Sequence, residues 1–432
     1  MRSWTLSLWI LLAPLGAAAQ EFTTLKGHGG PIMDISVNAG TGQVATASFD
    51  NSVGLWEGRV PTWLEGHEAA ANAVAFLGPS RAVSSGDDFA LILWDIGSGN
   101  QTRLEGHKGK VRRLSVSPEG TWIASASWDG SVGLWPATGG APRFFSGHDA
   151  GVNDVVFSAD GQHLYSASAD GTIRQWDLTG GAARIVVSHG FGVNRLILSP
   201  GGDWLAYGAV DGVTRVIDPV SGETIADFTL ERRPILSMAY HAETNQLAVG
   251  DGHGFIMMID TARWSISRDF RAMRQGPVWA LDFGPDGSAI YAGGLEDVVF
   301  SWPVALLDEY DPAGGETRSF LRDADAMPNG ERQFMRKCSI CHALTPPPSR
   351  KAGPTLYGVF GRRAGTVPGY RYSEILSGSD IIWSDDTIDQ LFDLGPDHYI
   401  PGSKMPMQRI TQAADRRDLV EFLREAAGNG EN

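Results

Sequence analysis

Apolar and polar positions alternate with a period of two through most of the chain, as in "VNDVVF" (152–157), "HLYSAS" (163–168) and "TIRQWD" (172–177). That period puts every second side chain on one face, so it predicts strands rather than helices. The alternation recurs in units of about forty residues. Each unit opens on Gly-His, runs through an alternating segment, a turn and a small-residue strand such as "IASAS", and then crosses an Asp-Gly turn into a strand ending on a large side chain. Gly-His falls at 27–28, 66–67, 106–107 and 147–148, with Ser-His at 188–189, and the strand ends are Trp56, Trp94, Trp135, Trp176, Ile217, Ile259 and Trp302. After "FSWPV" (300–304) the pattern stops. "ALLDEYDPAGGETRSF" (305–320) has the Pro, Gly and charge of a linker, and "QAADRRDLVEFLREAA" (412–427) reads as an amphipathic helix with Leu419, Phe422 and Leu423 on one face.

Units of this length with Gly-His openings and ends such as "LILWDI" (91–96) and "IRQWDL" (173–178) resemble WD repeats. The resemblance implies an all-β seven-bladed propeller over 20–304, followed by a linker (305–324) and a small all-α domain (325–432). It also implies a buried network in each blade. In the third blade, His107 would bond Asp129 and Trp135 would join through Ser125 or Ser127. Later blades depart from it: Ile217 and Ile259 replace Trp, and His253 and Glu296 stand where Asp is expected, so apolar packing should carry them. His28, His67, His107 and His148 fall on separate blades, too far apart to share a metal ion. "EFTTL" (21–25) precedes the first full blade and is expected to pair with the last unit (277–302), closing the ring without a free sheet edge. In this repeat family the residue before the turn Asp and the second residue of the inner strand line the upper mouth. A partner-binding patch is therefore expected at Met33, Phe49, Arg112, Trp128 and Trp279.

Charge and compartment narrow the partners. The chain carries 35 basic and 50 acidic residues, net −15; residues 1–324 hold 22 and 36 of them, a surplus that argues against nucleic acid and anionic lipid. "MRSWTLSLWILLAPLGAAAQ" has one cation, Arg2, an apolar run from Trp4 to Leu15, and Ala17–Ala19 before Gln20. It reads as a secretory signal over 1–19, giving a periplasmic chain with no membrane span once it is removed.

Both cysteines of the chain lie in "KCSICHAL" (337–344). A zinc site wants four ligands, and no second pair follows. A dithiol redox pair belongs to a thioredoxin-like pattern that is missing, and a disulfide this short restrains little. Cys-x-x-Cys-His is the attachment pattern of c-type haem. Around it the chain resembles class I, mitochondrial-type cytochrome c, through "GPTLYGVFGRRAG" (353–365), "PGYRYSEIL" (368–376), "IIWSDDTI" (381–388) and "YIPGSKM" (399–405). The resemblance implies one covalent haem c on Cys338 and Cys341, with His342 and Met405 as axial ligands to the iron. Met335 and Met407 are the rival sulfurs. It implies a Pro354 carbonyl that orients His342, and haem-propionate contacts from Arg362, Tyr372, Trp383 and Ser403. Departures are few: only Lys337 and Lys404 stand where the family has its lysine ring, Asp397 and His398 take places usually basic, and Leu376 replaces an Asn.

The expected function is one-electron transfer by a periplasmic cytochrome, a carrier rather than a catalyst, with the propeller as docking scaffold for a redox protein. The alternative is an oxidoreductase whose propeller binds a substrate or second cofactor and passes electrons to the haem.

Overall fold

The computed structural model describes residues 22–229, 234–274, 276–307 and 327–428, apart from 340, 349, 350, 402, 404, 406 and 407. Among the described residues twenty-eight strands form seven four-stranded antiparallel sheets. Six sheets are built from four consecutive strands. The seventh pairs the first strand, Thr23–Lys26, with the last, Val298–Pro303, in the register Thr23 to Ser301 and Leu25 to Val299. The expected strand at 21–25 is thus the outer strand of the last blade, with Glu21 outside the described residues.

The innermost strands pack each against the next, and the last, Val278–Phe283, returns to the first, Ile32–Val37. Apolar side chains from inner and outer strands alike form clusters between blades, for example Ala124, Leu134 and Phe145 of the third blade with Val155, Leu164 and Trp176 of the fourth. Every inner strand also carries a bulge at its second residue, where the register slips: Met33, Asn72, Arg112, Asn153, Asn194, Leu236 and Trp279. A bulge leaves one residue unpaired and re-aims its side chain.

The blade network follows the expected plan and fixes its details. In the third blade Trp135 Nε1–H donates to Ser125 Oγ (2.8 Å), Ser125 Oγ meets His107 Nε2 (2.7 Å), and His107 Nδ1 meets the Asp129 carboxylate (2.8 Å). A carboxylate only accepts, so Nδ1 carries the ring proton and the Ser125 hydroxyl donates to Nε2. Ser125 is the joining residue; Ser127 instead takes the Asp129 N–H and donates to the Gly109 carbonyl. Thr46, Ser84 and Ser166 play the joining part in blades one, two and four. His28, His67, His107 and His148 are each consumed within their own blade. In the fifth blade Tyr207 stands at the joining position, fully buried with its ring 5.6 Å from His189.

Beyond the last blade, Val304–Leu306 form a 3-10 turn and Leu307 is buried against Trp302 and Ile290. The packed segment therefore runs three residues into the stretch expected to be linker. The rest of that stretch lies outside the described residues.

Among the described residues five helices follow: α1 (Asn329–Lys337), α2 (Glu374–Ser377), α3 (Asp385–Leu394), α4 (Pro396–Tyr399) and α5 (Ala413–Ala426). The first helix, α1, runs directly into the cysteine pair, and α5 matches the predicted terminal helix, with Leu419 and Leu423 buried and Phe422 partly so. The two helices cross at Gly330, where an added Cβ would collide with the Asp418 carbonyl oxygen. Asn329 fixes the crossing by donating to Asp415 (2.8 Å) and Asp418 (2.6 Å). Ser384 and Thr387 form a capping box that starts α3. No helix among the described residues is long and apolar enough to cross a membrane.

Candidate functional site

The C-terminal end of α1 delivers the cysteine pair. Cys338 caps the helix, and the N–H groups of Cys341 (3.0 Å) and His342 (2.8 Å) both return to the Cys338 carbonyl. This tight turn keeps the two sulfurs and the imidazole together at one wall of an apolar cavity. The two cysteines are not joined to each other in a disulfide. Burial pushes the Cys338 thiol up to about 12 and raises Cys341 as well, so neither is poised as a thiolate.

His342 Nδ1 lies 2.7 Å from the Pro354 carbonyl oxygen. A carbonyl only accepts, so Nδ1 holds the proton and Nε2 keeps a free lone pair. Burial holds the imidazole below its usual value, against the opposing pull of that hydrogen bond, so the ring is neutral. Gly353 makes the approach possible: a Cβ there would stand 2.5 Å from the His342 ring. Its N–H bonds the Cys341 carbonyl (2.7 Å).

All nine residues singled out in this domain line the one cavity: Cys338, Cys341, His342, Pro354, Arg362, Tyr372, Trp383, Ser403 and Met405. Arg362 is spread over two backbone carbonyls, Tyr357 (2.7 Å) and Thr355 (2.8 Å), and burial lowers its pKa. The Tyr372 hydroxyl accepts from the Val367 N–H (3.3 Å). Trp383 is tied through its backbone to Gly361 and Arg362. Ser403 Oγ accepts the Met405 N–H (3.1 Å), and Met405 packs on the cluster of Leu391, Phe392 and Ile400. Of the rival sulfurs, Met335 packs on the same cluster from α1, and Met407 lies outside the described residues, as does Lys404.

Tyr370, Ser373 and Gln408 are among the lining residues that escape the sequence reading. Tyr370 donates to the Ala352 carbonyl (2.7 Å) and sets its ring 4.7 Å from Tyr372. Ser373 Oγ and Gln408 Oε1 are buried with no hydrogen-bond partner among the described residues. Adjacency to Tyr372 and to Met405 is the one signal that could have found them.

The donor set fits haem: two adjacent thiols, a neutral imidazole with its lone pair free, apolar walls, and polar atoms whose partners the protein does not supply. Among the described residues no cluster of three His, Cys, Asp or Glu could hold a bare metal ion.

The propeller candidates sit as the bulges and turns dictate. Trp128 is half exposed, with the Arg112 guanidinium 5.1 Å and Lys110 Nζ 5.8 Å from its ring, and it donates to Asn153 (3.1 Å). Arg112 also donates to Asn72 (3.3 Å). Met33, Phe49 and Trp279 are partly buried. Three other bulge residues hold blades together: Asn72, Asn153 and Asn194 donate to the carbonyls of Val111, Val193 and Ile235 in the following blade.

Fold and site together define a seven-bladed propeller of WD repeats carrying a c-type haem domain. The "WD domain, G-beta repeat" family matches residues 19–57, 99–136 and 140–177, and the "Cytochrome c" family matches 328–427. Cytochrome c of Sesamum indicum is 40% identical over 98 residues, 23% of this chain and 87% of the relative. That of Arabidopsis thaliana is 40% identical over 96 residues, 22% and 85%. Cytochrome c type-1 of Ascaris suum is 35% identical over 97 residues, 22% and 85%. Through this domain the chain belongs to the cytochrome c family, and its cofactor is covalently bound haem c.

Proposed function

We propose that this protein is a periplasmic electron carrier, with haem joined to Cys338 and Cys341, His342 and Met405 as axial ligands, and the propeller as docking platform for a redox partner. The observation that carries the reading is the His342–Pro354 bond, which leaves Nε2 as the one free ring nitrogen in a cavity that Met405 also lines. Haem in this setting supplies one-electron iron chemistry, and a sulfur ligand raises its potential relative to two nitrogens. The chain's own residues do the rest. Pro354 fixes the imidazole, Ser403 holds the backbone of Met405, and Leu391, Phe392 and Ile400 exclude water. Were His342 and Met405 both to bind the iron, they would leave it no place for substrate chemistry. The periplasmic reading rests on the signal-like segment 1–19, outside the described residues. The partner face is the Trp128–Arg112 cluster with Met33, Phe49 and Trp279.

The test is Met405→Ala. It should abolish the weak far-red absorption of sulfur-ligated ferric haem and lower the midpoint potential, while the haem stays attached in denaturant. An unchanged band would assign the ligand to Met335 or Met407 instead.

A further inference from the structure

The wall of the haem cavity does not end with the helical domain. It continues onto the propeller, where Phe49, Asn51, Glu68, Ala69, Ala70 and Asp87 line the same space as Cys341 and His342. All six belong to blades one and two, and among the described residues no other blade reaches the cavity. Phe49 and Asn51 flank the turn aspartate of the first blade. Residues 68–70 lead into the inner strand of the second, and the Asp87 N–H is tied to the Ala70 carbonyl (2.8 Å).

The backbone at Asn51 carries a second indication. The residue after the turn aspartate has positive φ, and in blades three, four and five it is Gly130, Gly171 and Gly212. Blade one places Asn51 there, at φ 72°, a region asparagine tolerates. Glycine would make the turn equally well, so the Asn51 side chain answers to something outside it. Its amide oxygen is buried with no hydrogen-bond partner among the described residues, and the residue lines the cavity.

Charge fits the same contact. The propeller wall carries the carboxylates of Glu68 and Asp87, the second shared with Lys110. The wall from the helical domain carries Lys337, Arg362, Arg363 and Arg371, with Arg363 shared with Asp380. The two walls are thus of opposite sign around an apolar centre of Phe49, Ala69 and Ala70.

We propose that the upper face of blades one and two is the docking surface for the chain's own haem domain, and that it covers the mouth of the haem cavity. The proposal rests on haem filling the cavity and is independent of which sulfur binds the iron. It also deepens the docking reading above, on which its consequence rests. Phe49, counted there with the partner face, belongs to this internal contact. A redox protein that covers Phe49 must displace the haem domain, and displacing it uncovers the haem. Partner binding and haem exposure are then one event.

The test uses the full-length, haem-loaded protein and the neutral semiquinone of lumiflavin, generated by a light flash, as a one-electron reductant. Its neutrality keeps changes of surface charge from acting on its encounter with the haem. Rates are compared at about 0.01 M and about 1 M salt, between which the screening length falls from about 30 to about 3 Å. Glu68→Lys reverses one charge of the propeller wall. Asn51→Gly gives the turn the residue of blades three to five and removes the side chain at the cavity. The parent should be reduced faster at high salt. At low salt both variants should be reduced about two- to fivefold faster than the parent, the equivalent of one exposed ion pair or one net hydrogen bond lost. The haem spectrum and melting temperature should stay parental, which a structural fault in the propeller would not allow. Parental rates in both variants, together with a parental rate that ignores salt, would overturn the proposal. Met405→Ala keeps the two ideas apart: retention of its far-red band sinks the ligand assignment, while the reduction rates alone decide the internal contact.

Discussion

Ser125→Ala tests whether the blade network is a structural unit. Ser125 is fully buried and serves two partners at once, Trp135 Nε1 at 2.8 Å and His107 Nε2 at 2.7 Å. Removing the hydroxyl leaves an indole N–H and an imidazole nitrogen buried in a site no water can easily reach, since Trp135 is wholly buried and His107 nearly so. At about 1–3 kcal/mol for each stranded group, with some relief from relaxation, the loss comes to roughly 2–4 kcal/mol. For a domain of this size 1 kcal/mol shifts the midpoint by about 2–4 °C, so the thermal transition should fall by roughly 5–15 °C. Far-ultraviolet circular dichroism on the variant and its parent measures this directly, and the haem spectrum serves as an internal control that should not change. Thr46→Val in the first blade strands the equivalent pair, His28 and Trp56, and should behave alike. A midpoint within about 1 °C of parent in both variants would refute the reasoning and reduce the network to a by-product of packing.

The inner strands also predict a pH dependence. Burial pushes Asp154 and Asp282 up to about 7, against the Arg113 charge and backbone N–H groups at Asp154 and against the Val37 and Phe283 N–H groups at Asp282. A carboxyl raised in the folded state binds its proton more tightly there than in the unfolded chain. Stability should therefore fall as pH rises from about 4 to about 7, by up to about 1.4 kcal/mol per group per pH unit, and level off above that. Asp88 and Asp170 work in the opposite sense: burial raises them, but hydrogen bonds, including those from His67 and His148, outweigh it and hold them at about 2, so their contribution is lost below pH 4. Melting curves across pH 3–9 should show a maximum on the acid side of neutrality, and Asp154→Asn with Asp282→Asn should flatten the fall from 4 to 7; a flat parental profile there would contradict the burial argument. On the propeller rim, Trp128→Ala and Trp279→Ala should weaken capture of a redox partner by tenfold or more in a binding titration without altering the haem spectrum, and parental affinity in both would move docking elsewhere.

Much of this was legible in the sequence, for physical reasons that differ by region. A strict period of two marks the strands, and the resemblance to WD repeats turned the strand ends from Trp56 to Trp302 into a blade count and a closing strand. Cys338, Cys341 and His342 form a short motif in which spacing and chemistry are inseparable, whereas the other haem-site candidates came from the resemblance to cytochrome c, and the structure brings them to one cavity. The bulges were not legible. Met33, Arg112 and Trp279 could be grouped by resemblance, but the reason they share an environment is a register slip that leaves no mark on apolar periodicity. Nor was the division of labour between Ser125 and Ser127, because both alternate onto the same face. Ser373 and Gln408 were missed because a lone polar residue in a loop resembles any solvated one until the burial of its oxygen is seen.

The pairing of Thr23–Lys26 with Val298–Pro303 has a kinetic side. Six blades can assemble from contiguous chain in the order they are made, each needing only short loops. The seventh cannot be completed until its own three strands have formed and the far end of the polypeptide has been drawn back across the whole ring. Closing so long a loop adds only a few kcal/mol over a short one, because the entropy grows with the logarithm of length. It nevertheless puts this contact last and makes it slow. Until the latch engages, Val298–Pro303 presents an unpaired ladder to any other extended segment, including the Thr23–Lys26 strand of a second molecule. Two chains exchanging their first strands would satisfy every hydrogen bond of the monomer, so local concentration during folding decides between a closed ring and an interlocked pair.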